Sequence, residues 1–338
     1  MLIMAIDLNG KKILVTGGLG FIGSNFIEYV IKNYKNLQIV NYDKSGHGSR
    51  PLYHTSKDKL VNIDENFYTW ICGDLSYEDY NAASIKNVLK NHKFDYIFHF
   101  AAESHVDRSI NSPAFFIENN VVGMVNLLEG IRLHQPDTRM INISTDEVYG
   151  HLSMNDKPFT EDSPFDPRSP YAASKASADM IASSYVNTFN LNVVTTHCCN
   201  NFGPNQADEK FLPTIIRHIV KGEKIPVYGD GTNVREWIFV YDHNKSILEI
   251  AEYGKSGEHY NIGSGVEKSN LDLILEVLRI LKFKKIVLGN YINFVEDRKG
   301  HDFRYAIDTK KYIRNFNLTK FEDSLTSTIE HYKVKYSK

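Results

Sequence analysis

The stretch Lys12-Ile13-Leu14-Val15-Thr16-Gly17-Gly18-Leu19-Gly20-Phe21-Ile22-Gly23 decides the fold. It opens as a short β-rich run and breaks at a glycine turn. An amphipathic helix follows through Phe26 to Ile31. A second apolar run, Leu37 to Tyr42, ends at Asp43, 20 residues after Gly23. Strand, glycine turn, helix, strand and acid at this spacing form a dinucleotide-binding βαβ unit. Each part has a physical reason. Glycine lets the backbone approach a pyrophosphate, and the helix start supplies free N–H groups and the positive end of its dipole. The acid accepts from ribose hydroxyls and repels a 2′-phosphate, which favours NAD over NADP.

The alternation continues outward. Strands are predicted at Phe67–Cys72, Tyr96–Phe100, Arg139–Ile143 and Leu191–Thr196, with helices over Tyr77–His92, Pro113–Leu133 and Pro170–Phe189. Strands alternating with helices give an α/β fold with a doubly wound, parallel, Rossmann-type sheet and right-handed crossovers. Beyond Thr196 regularity falls. A turn at Asn200–Pro204 is expected. Helices are expected at Phe211–Lys221, Tyr241–Tyr253 and Asn270–Leu281, and strands at Ile225–Tyr228, Arg235–Val240, Glu258–Ile262 and Tyr291–Val295. The reading is a dinucleotide-binding domain over 1–195 and a smaller α/β ligand-binding lobe over 196–338, laced into the first because no clean linker separates them.

Two further stretches carry chemistry. Ser144-Thr145-Asp146-Glu147-Val148-Tyr149-Gly150 follows a buried strand, so it sits at the strand end where open α/β sheets bind ligands. Adjacent strand residues point opposite ways, so Asp146 and Glu147 reach one site only if the strand has already broken. Two carboxylates in different surroundings can divide acid and base work. The same letters also spell a helix N-cap, and both readings stand at this point. Tyr171 and Lys175 are four apart on one helix face, where a neighbouring ammonium favours phenolate; a surface Tyr and Lys on a helix is the alternative. Arg298, His301 and Arg304 cluster near aromatics, which suits a diphosphate or a solvated loop.

Composition excludes other classes. The chain has 338 residues, 42% hydrophobic and 24% charged, with net charge -2. Nothing marks a nucleic-acid or membrane binder. No apolar run is long enough to span a bilayer, and Met1-Leu2-Ile3-Met4-Ala5-Ile6-Asp7 does not read as a signal peptide. Cys72, Cys198 and Cys199 form no disulfide framework, which points to a reducing, cytoplasmic setting. No metal-ligand spacing is present.

These motifs together resemble the extended short-chain dehydrogenase/reductase family, and within it the nucleotide-sugar 4,6-dehydratase branch, most closely the enzymes of dTDP-glucose. The resemblance runs from Ile13 to about His331. It is carried by Thr16–Gly23, by Ala101-Ala102-Glu103-Ser104-His105-Val106-Asp107-Arg108-Ser109-Ile110, by Ser144–Gly150 and by Tyr171 with Lys175. The Asp146-Glu147 pair separates it from 4-epimerases and decarboxylases of the same superfamily. A non-catalytic NAD-binding regulator is the other alternative, and retention of all five catalytic-type residues argues against it.

The resemblance implies roles. Tyr171 would take the proton of the sugar C-4 hydroxyl, aided by Lys175, which would also hold the nicotinamide ribose. Thr145 would bond the C-4 oxygen, Glu147 would remove the C-5 proton, and Asp146 would protonate the leaving C-6 hydroxyl. NAD would be held by Gly17, Gly20, Phe21, Ile22, Gly23, Asp43, Lys44, Asp74, Leu75, Ala101, Ala102, Ser104, Asn119, Tyr171, Lys175 and Asn201. The nucleotide sugar would be held by Ser104, Thr145, Asn200, Lys210, Phe211, Pro226, Tyr228, Arg235, Asn270, Arg298 and His301. Donors of the branch are dTDP-glucose, UDP-glucose or UDP-N-acetylglucosamine, products feed deoxysugar routes such as that to rhamnose, and a homodimer packs helices 113–133 and 171–189 into a four-helix bundle. Three departures stand out. The loop after Lys44 reads Ser45-Gly46-His47-Gly48-Ser49-Arg50 instead of a Leu-Thr-Tyr-Ala-Gly-Asn-like run. His197 stands where an asparagine is usual. The loop between Tyr149 and Phe165 is short.

Overall fold

The computed structural model describes residues 6–46, 49, 61–63, 65–77 and 83–337. The first half contains β1 (Lys12–Thr16), α1 (Phe21–Asn33), β2 (Gln38–Tyr42), β3 (Val61–Ile63), β4 (Asn66–Ile71), α2 (Ile85–Asn91) and β5 (Tyr96–His99). It continues through α3 (Val106–Asn111), α4 (Pro113–Ile117), α5 (Gly123–His134), β6 (Arg139–Thr145), α6 (Pro170–Phe189) and β7 (Val193–Cys198). The second half holds β8 (Asn200–Phe202), α7 (Phe211–Lys221), β9 (Ile225–Tyr228), β10 (Val234–Phe239), α8 (Val240–Tyr253) and β11 (His259–Ile262). It ends with β12 (Glu267–Ser269), α9 (Asn270–Ile280), β13 (Ile292–Val295) and α10 (Phe321–Tyr336).

The main sheet has eight strands in the order β11-β7-β6-β5-β1-β2-β4-β3. Every pairing is parallel except β3 with β4 at the edge. All six residues of β7 are buried, as a parallel strand covered on both faces requires. Register brings Thr16 beside both Tyr42 and His99, and Thr145 beside Cys198, so the C-terminal strand ends line up along one edge. The order reverses at β1, where β2 lies on one side and β5 on the other, and that switch point opens the ligand crevice.

The chain past residue 196 does not form a separate body. It returns β11 to the main sheet, and α8 packs against α1 and β6. A distinct core of Phe202, Leu212, Ile216, Val227, Trp237, Leu273 and Tyr332 holds the small lobe, where β12-β10-β8 and β13-β9 form two minor sheets.

Several boundaries differ from the sequence expectation for stated reasons. Helix α2 starts at Ile85, where Ser84 caps it by accepting from the Asn87 N–H at 3.3 Å, instead of at Tyr77; residues 78–82 of that expected helix lie outside the described residues. The expected single helix over Pro113–Leu133 is interrupted by a π-helical turn at Glu118–Val122. That turn carries Asn119 and Asn120 into polar contacts, a use of π-turns seen at functional sites. Asn200–Phe202 pairs as a strand with β10 where a turn was expected. The strands β3 and β12, the short helix α3 and the long C-terminal helix α10 were not anticipated. The amphipathic signal of α10 is diluted by Ser and Thr that bond back to its own carbonyls. Helix α6 begins as its letters suggest: Ser169 caps it, Pro170 occupies its first turn and left-handed Asn190 ends it.

Candidate active site

A cleft of about 350 Å³ runs along the C-terminal edge of the main sheet, within the size range of cofactor and ligand sites. Its floor is the glycine turn. Gly17 has φ +73°, and a Cβ there would lie 2.5 Å from the Ala101 backbone nitrogen. A Cβ on Gly23 would lie 2.4 Å from the Gly17 carbonyl oxygen. Both positions therefore exclude any side chain, and the backbone is left open as a cradle. At the end of β2 the Asp43 carboxylate accepts from the Leu19 N–H at 2.9 Å and the Ser45 N–H at 2.7 Å, which fixes it at the rim. Lys44 donates to Asn119 and lies 3.3 Å from Glu103 and 3.6 Å from Asp74. The Asn201 amide oxygen is buried in the cleft with no partner in the protein. A dinucleotide fits this chemistry: an empty backbone cradle at a helix start, a rim carboxylate and an unpaired buried acceptor. The sixteen residues assigned to NAD from the sequence all line this one cleft.

The catalytic-type residues meet at its inner end. Strand β6 continues to Thr145, two residues beyond the predicted end, and then breaks into a 3₁₀ turn, Asp146–Tyr149. The break brings Thr145, Asp146 and Glu147 to the same cleft. Thr145 caps the turn by accepting from the Glu147 N–H at 3.3 Å and lies 3.4 Å from the Asp146 carboxyl. The N-cap reading and the site reading are thus both satisfied by one geometry. Burial, then Glu147 and Glu236, push the Asp146 carboxyl well above its ordinary value, and one of its oxygens has no partner. Burial also raises Glu147, but Arg235, Lys210 and Arg298 pull it back down. Both carboxyls are raised, but their surroundings differ: carboxylates add to the rise at Asp146, while cations oppose it at Glu147.

Tyr171 and Lys175 lie buried on the face of α6 that meets this turn. Lys175 Nζ donates one of its protons to the Ile143 carbonyl at 2.9 Å. Burial and then Glu147 hold Tyr171 well above its ordinary value, while a hydrogen bond with Thr145 pulls the other way.

Of the residues assigned to the nucleotide sugar, Ser104, Thr145, Asn200 and Lys210 line the cleft, and Lys210 reaches the Ser104 carbonyl at 3.1 Å. Phe211, Pro226, Tyr228, Arg235, Asn270, Arg298 and His301 do not line it. Three of them gather in the small lobe: Arg298 sits 5.4 Å over the Tyr228 ring, and His301 meets that ring edge-on at 6.4 Å. Arg235 lies 4.3 Å over Tyr305 and donates to the Asp302 carbonyl at 2.9 Å. Phe211 packs on the small-lobe core, Pro226 is inside β9, and Asn270 opens α9, where Ser269 and Asp272 form a capping box. Sequence reasoning missed Asp107 as a partner: it pairs with Arg298 at 2.5 Å across 191 positions of chain. It also missed Glu103 and His105, which line the cleft. All three lie in the Ala101–Ile110 stretch, but no local signal names their partners.

A sequence model of the GDP-mannose 4,6 dehydratase family matches residues 14–324. The chain belongs to this family. A dTDP-glucose 4,6-dehydratase of Neisseria meningitidis serogroup B is 38% identical over 341 residues, covering 95% of this chain and 93% of that protein. The low-salt glycan biosynthesis protein Agl12 of Haloferax volcanii is 42% identical over 323 residues, covering 95% of this chain and 98% of that protein. The crystal structure of a dTDP-glucose 4,6-dehydratase from Streptomyces venezuelae with NAD bound superposes with a TM-score of 0.85 at 34% identity, over 96% of this chain and 98% of that one. The family membership and the Rossmann-type α/β fold expected from the sequence agree with these matches. No described helix is long and apolar enough to cross a membrane.

Proposed function

We propose that this chain is an NAD-dependent nucleotide-sugar 4,6-dehydratase, with dTDP-glucose as the first donor to test. The observation that carries the reading is the Thr145-Asp146-Glu147 turn set beside Tyr171 at the inner end of a dinucleotide cleft, with the two carboxyl groups in different charge surroundings.

NAD, when bound, supplies the oxidation: it accepts the hydride of the sugar C-4 and returns it to C-6. The protein's residues move the protons. Tyr171, which burial keeps protonated in the free protein, would act as base once the cationic nicotinamide and Lys175 in the same cleft favour its phenolate, taking the C-4 hydroxyl proton while Thr145 holds that oxygen. The ketone makes the C-5 proton acidic, and Glu147, which three cations hold closer to the ionised state, removes it and returns a solvent-exchangeable proton to C-5 as the hydride reaches C-6. Asp146, held protonated, gives its proton to the departing C-6 hydroxyl. Lys210, Arg235 and Arg298 bring positive charge toward the site, which suits a nucleoside diphosphate. A 4-epimerase needs neither carboxylate, so the paired acids favour the dehydratase.

The remaining assignments rest on the same reading. Ile117, Leu133, Met180 and Phe189 expose apolar side chains on α4, α5 and α6, which supports a homodimer through a four-helix bundle. A cytoplasmic location and a deoxysugar route such as rhamnose formation fit such a product. Product mass spectrometry tests the activity: the protein is given NAD with dTDP-glucose, UDP-glucose or UDP-N-acetylglucosamine in turn. Loss of one water from one donor is expected; loss from none would reject the reading.

A further inference from the structure

Behind the catalytic turn lies a buried polar network that the reaction scheme does not use. Asp179 follows Lys175 by one helical turn on α6 and is fully buried. One carboxylate oxygen accepts from Asn142 Nδ2 at 2.7 Å; the other accepts from Ser144 Oγ at 2.6 Å and lies 3.2 Å from His197 Nε2. The other ring nitrogen of His197, Nδ1, lies 2.6 Å from the Tyr149 hydroxyl, which in turn lies 2.9 Å from Asn261 Oδ1.

Counting donors fixes the protons. Asn261 Nδ2 donates to the carbonyls of Phe159 and Asp308, both at 3.1 Å, so its amide oxygen must be the atom that faces Tyr149. The Tyr149 O–H therefore donates to Asn261 and has no second proton to give. Its oxygen accepts from His197 Nδ1, while Nε2 lies 3.2 Å from the Asp179 carboxylate, so the His197 ring bridges the catalytic turn and α6. Phe165 and Tyr149 each meet the His197 ring in a T-shaped arrangement. His259, 5.1 Å away, is pushed down to about 4 by burial and then by His197, and stays neutral. Burial would raise Asp179, but hydrogen bonding and charge from His197, with Lys175, hold it below the usual carboxylate range.

We propose that the His197–Asp179 contact is a positioning clamp that sets the two halves of the active site against each other. Asp179 grips Ser144, immediately before Thr145, while His197 grips Tyr149 at the far end of the turn. The Thr145–Glu147 segment is therefore tied at both ends to the helix that carries Tyr171 and Lys175. A shorter asparagine at 197 could not reach both partners at once. The clamp deepens the dehydratase reading and relies on it only for its kinetic consequence.

The test has two arms. In the first, ¹⁵N-histidine-labelled protein is examined by NMR for ring N–H protons protected from exchange with water, as expected of a fully buried, hydrogen-bonded imidazole. A protected histidine ring proton that vanishes in His197→Asn is expected. Spectra of wild type and His197→Asn with the same set of protected ring protons would overturn the clamp's contacts whatever the enzyme's activity. In the second arm, His197→Asn and Tyr149→Phe, each checked for folding by thermal melting, should lower kcat about ten- to a hundredfold with KM little changed, the size expected for misplaced catalytic groups. Two folded variants with unchanged kcat would overturn the positioning role. If the wild-type enzyme transforms no donor, the dehydratase reading fails while the NMR arm still decides the clamp's contacts.

Discussion

The two walls of the site are built differently. The cofactor wall is a single strip: the ends of β1, β2, β5 and β6 and the face of α6, all lining one cleft. The small-lobe wall is assembled from pieces far apart in sequence. Its arginines are already occupied, Arg298 by Asp107 and Arg235 by the carbonyls of Asp302 and Phe303. The first wall is fixed by backbone geometry and the second by long-range charge pairing. A substitution in the first should therefore remove chemistry, and one in the second should mainly weaken binding.

The largest effects should come from the inner end of the strip. Tyr171→Phe and Glu147→Gln are each expected to lower kcat by roughly 10²–10⁴-fold, the usual worth of a general acid or base. Glu147→Gln should still form reduced nicotinamide with the sugar, because oxidation at C-4 precedes its step; absorbance under single-turnover conditions checks this. Arg298→Ala should instead raise KM about ten- to a hundredfold with kcat little changed, as for loss of a charge-assisted contact. If steady-state kinetics showed the loss in kcat, the contrast between the walls would break.

Gly17→Ala should act through the backbone. The left-handed φ and the 2.5 Å clash with Ala101 predict a loss of at least about 1 kcal/mol of stability. NAD should stabilise the variant less than the wild type in thermal melts. The smallest effect concerns pH. The raised Asp146 carboxyl contributes stability that is complete below the ordinary carboxylate range and is lost as pH rises through its folded value. Asp146→Asn should therefore melt higher than wild type in alkaline buffer and gain least in acid. In the wild type, kcat should fall toward acid as Glu147 protonates and toward alkali as Asp146 ionises; Asp146→Asn should lack the alkaline limb in whatever activity remains.

The same contrast explains what could be read in the sequence. The βαβ spacing, the glycine turn and Asp43 were legible because local backbone demands fix them. So was Thr145-Asp146-Glu147, although its strand ran two residues longer than its apolar run suggested. The π-turn at Glu118–Val122 left no mark in a pattern that reads as one helix. Asp107 with Arg298 and Asp179 with His197 were invisible as pairs, because nothing local encodes a partner 191 or 18 residues away. Helix spacing likewise places Tyr171 and Lys175 on one face but does not say that the ammonium also reaches the Ile143 carbonyl.

The central claim, that Glu147 and Asp146 divide an elimination between them, is tested most directly by running the reaction with dTDP-glucose in D₂O and analysing the product by mass spectrometry and NMR. The account predicts a product lighter by one water, carrying one deuterium at C-5, with no net change in NAD. A product isomeric with the substrate and free of deuterium at C-5 would contradict it.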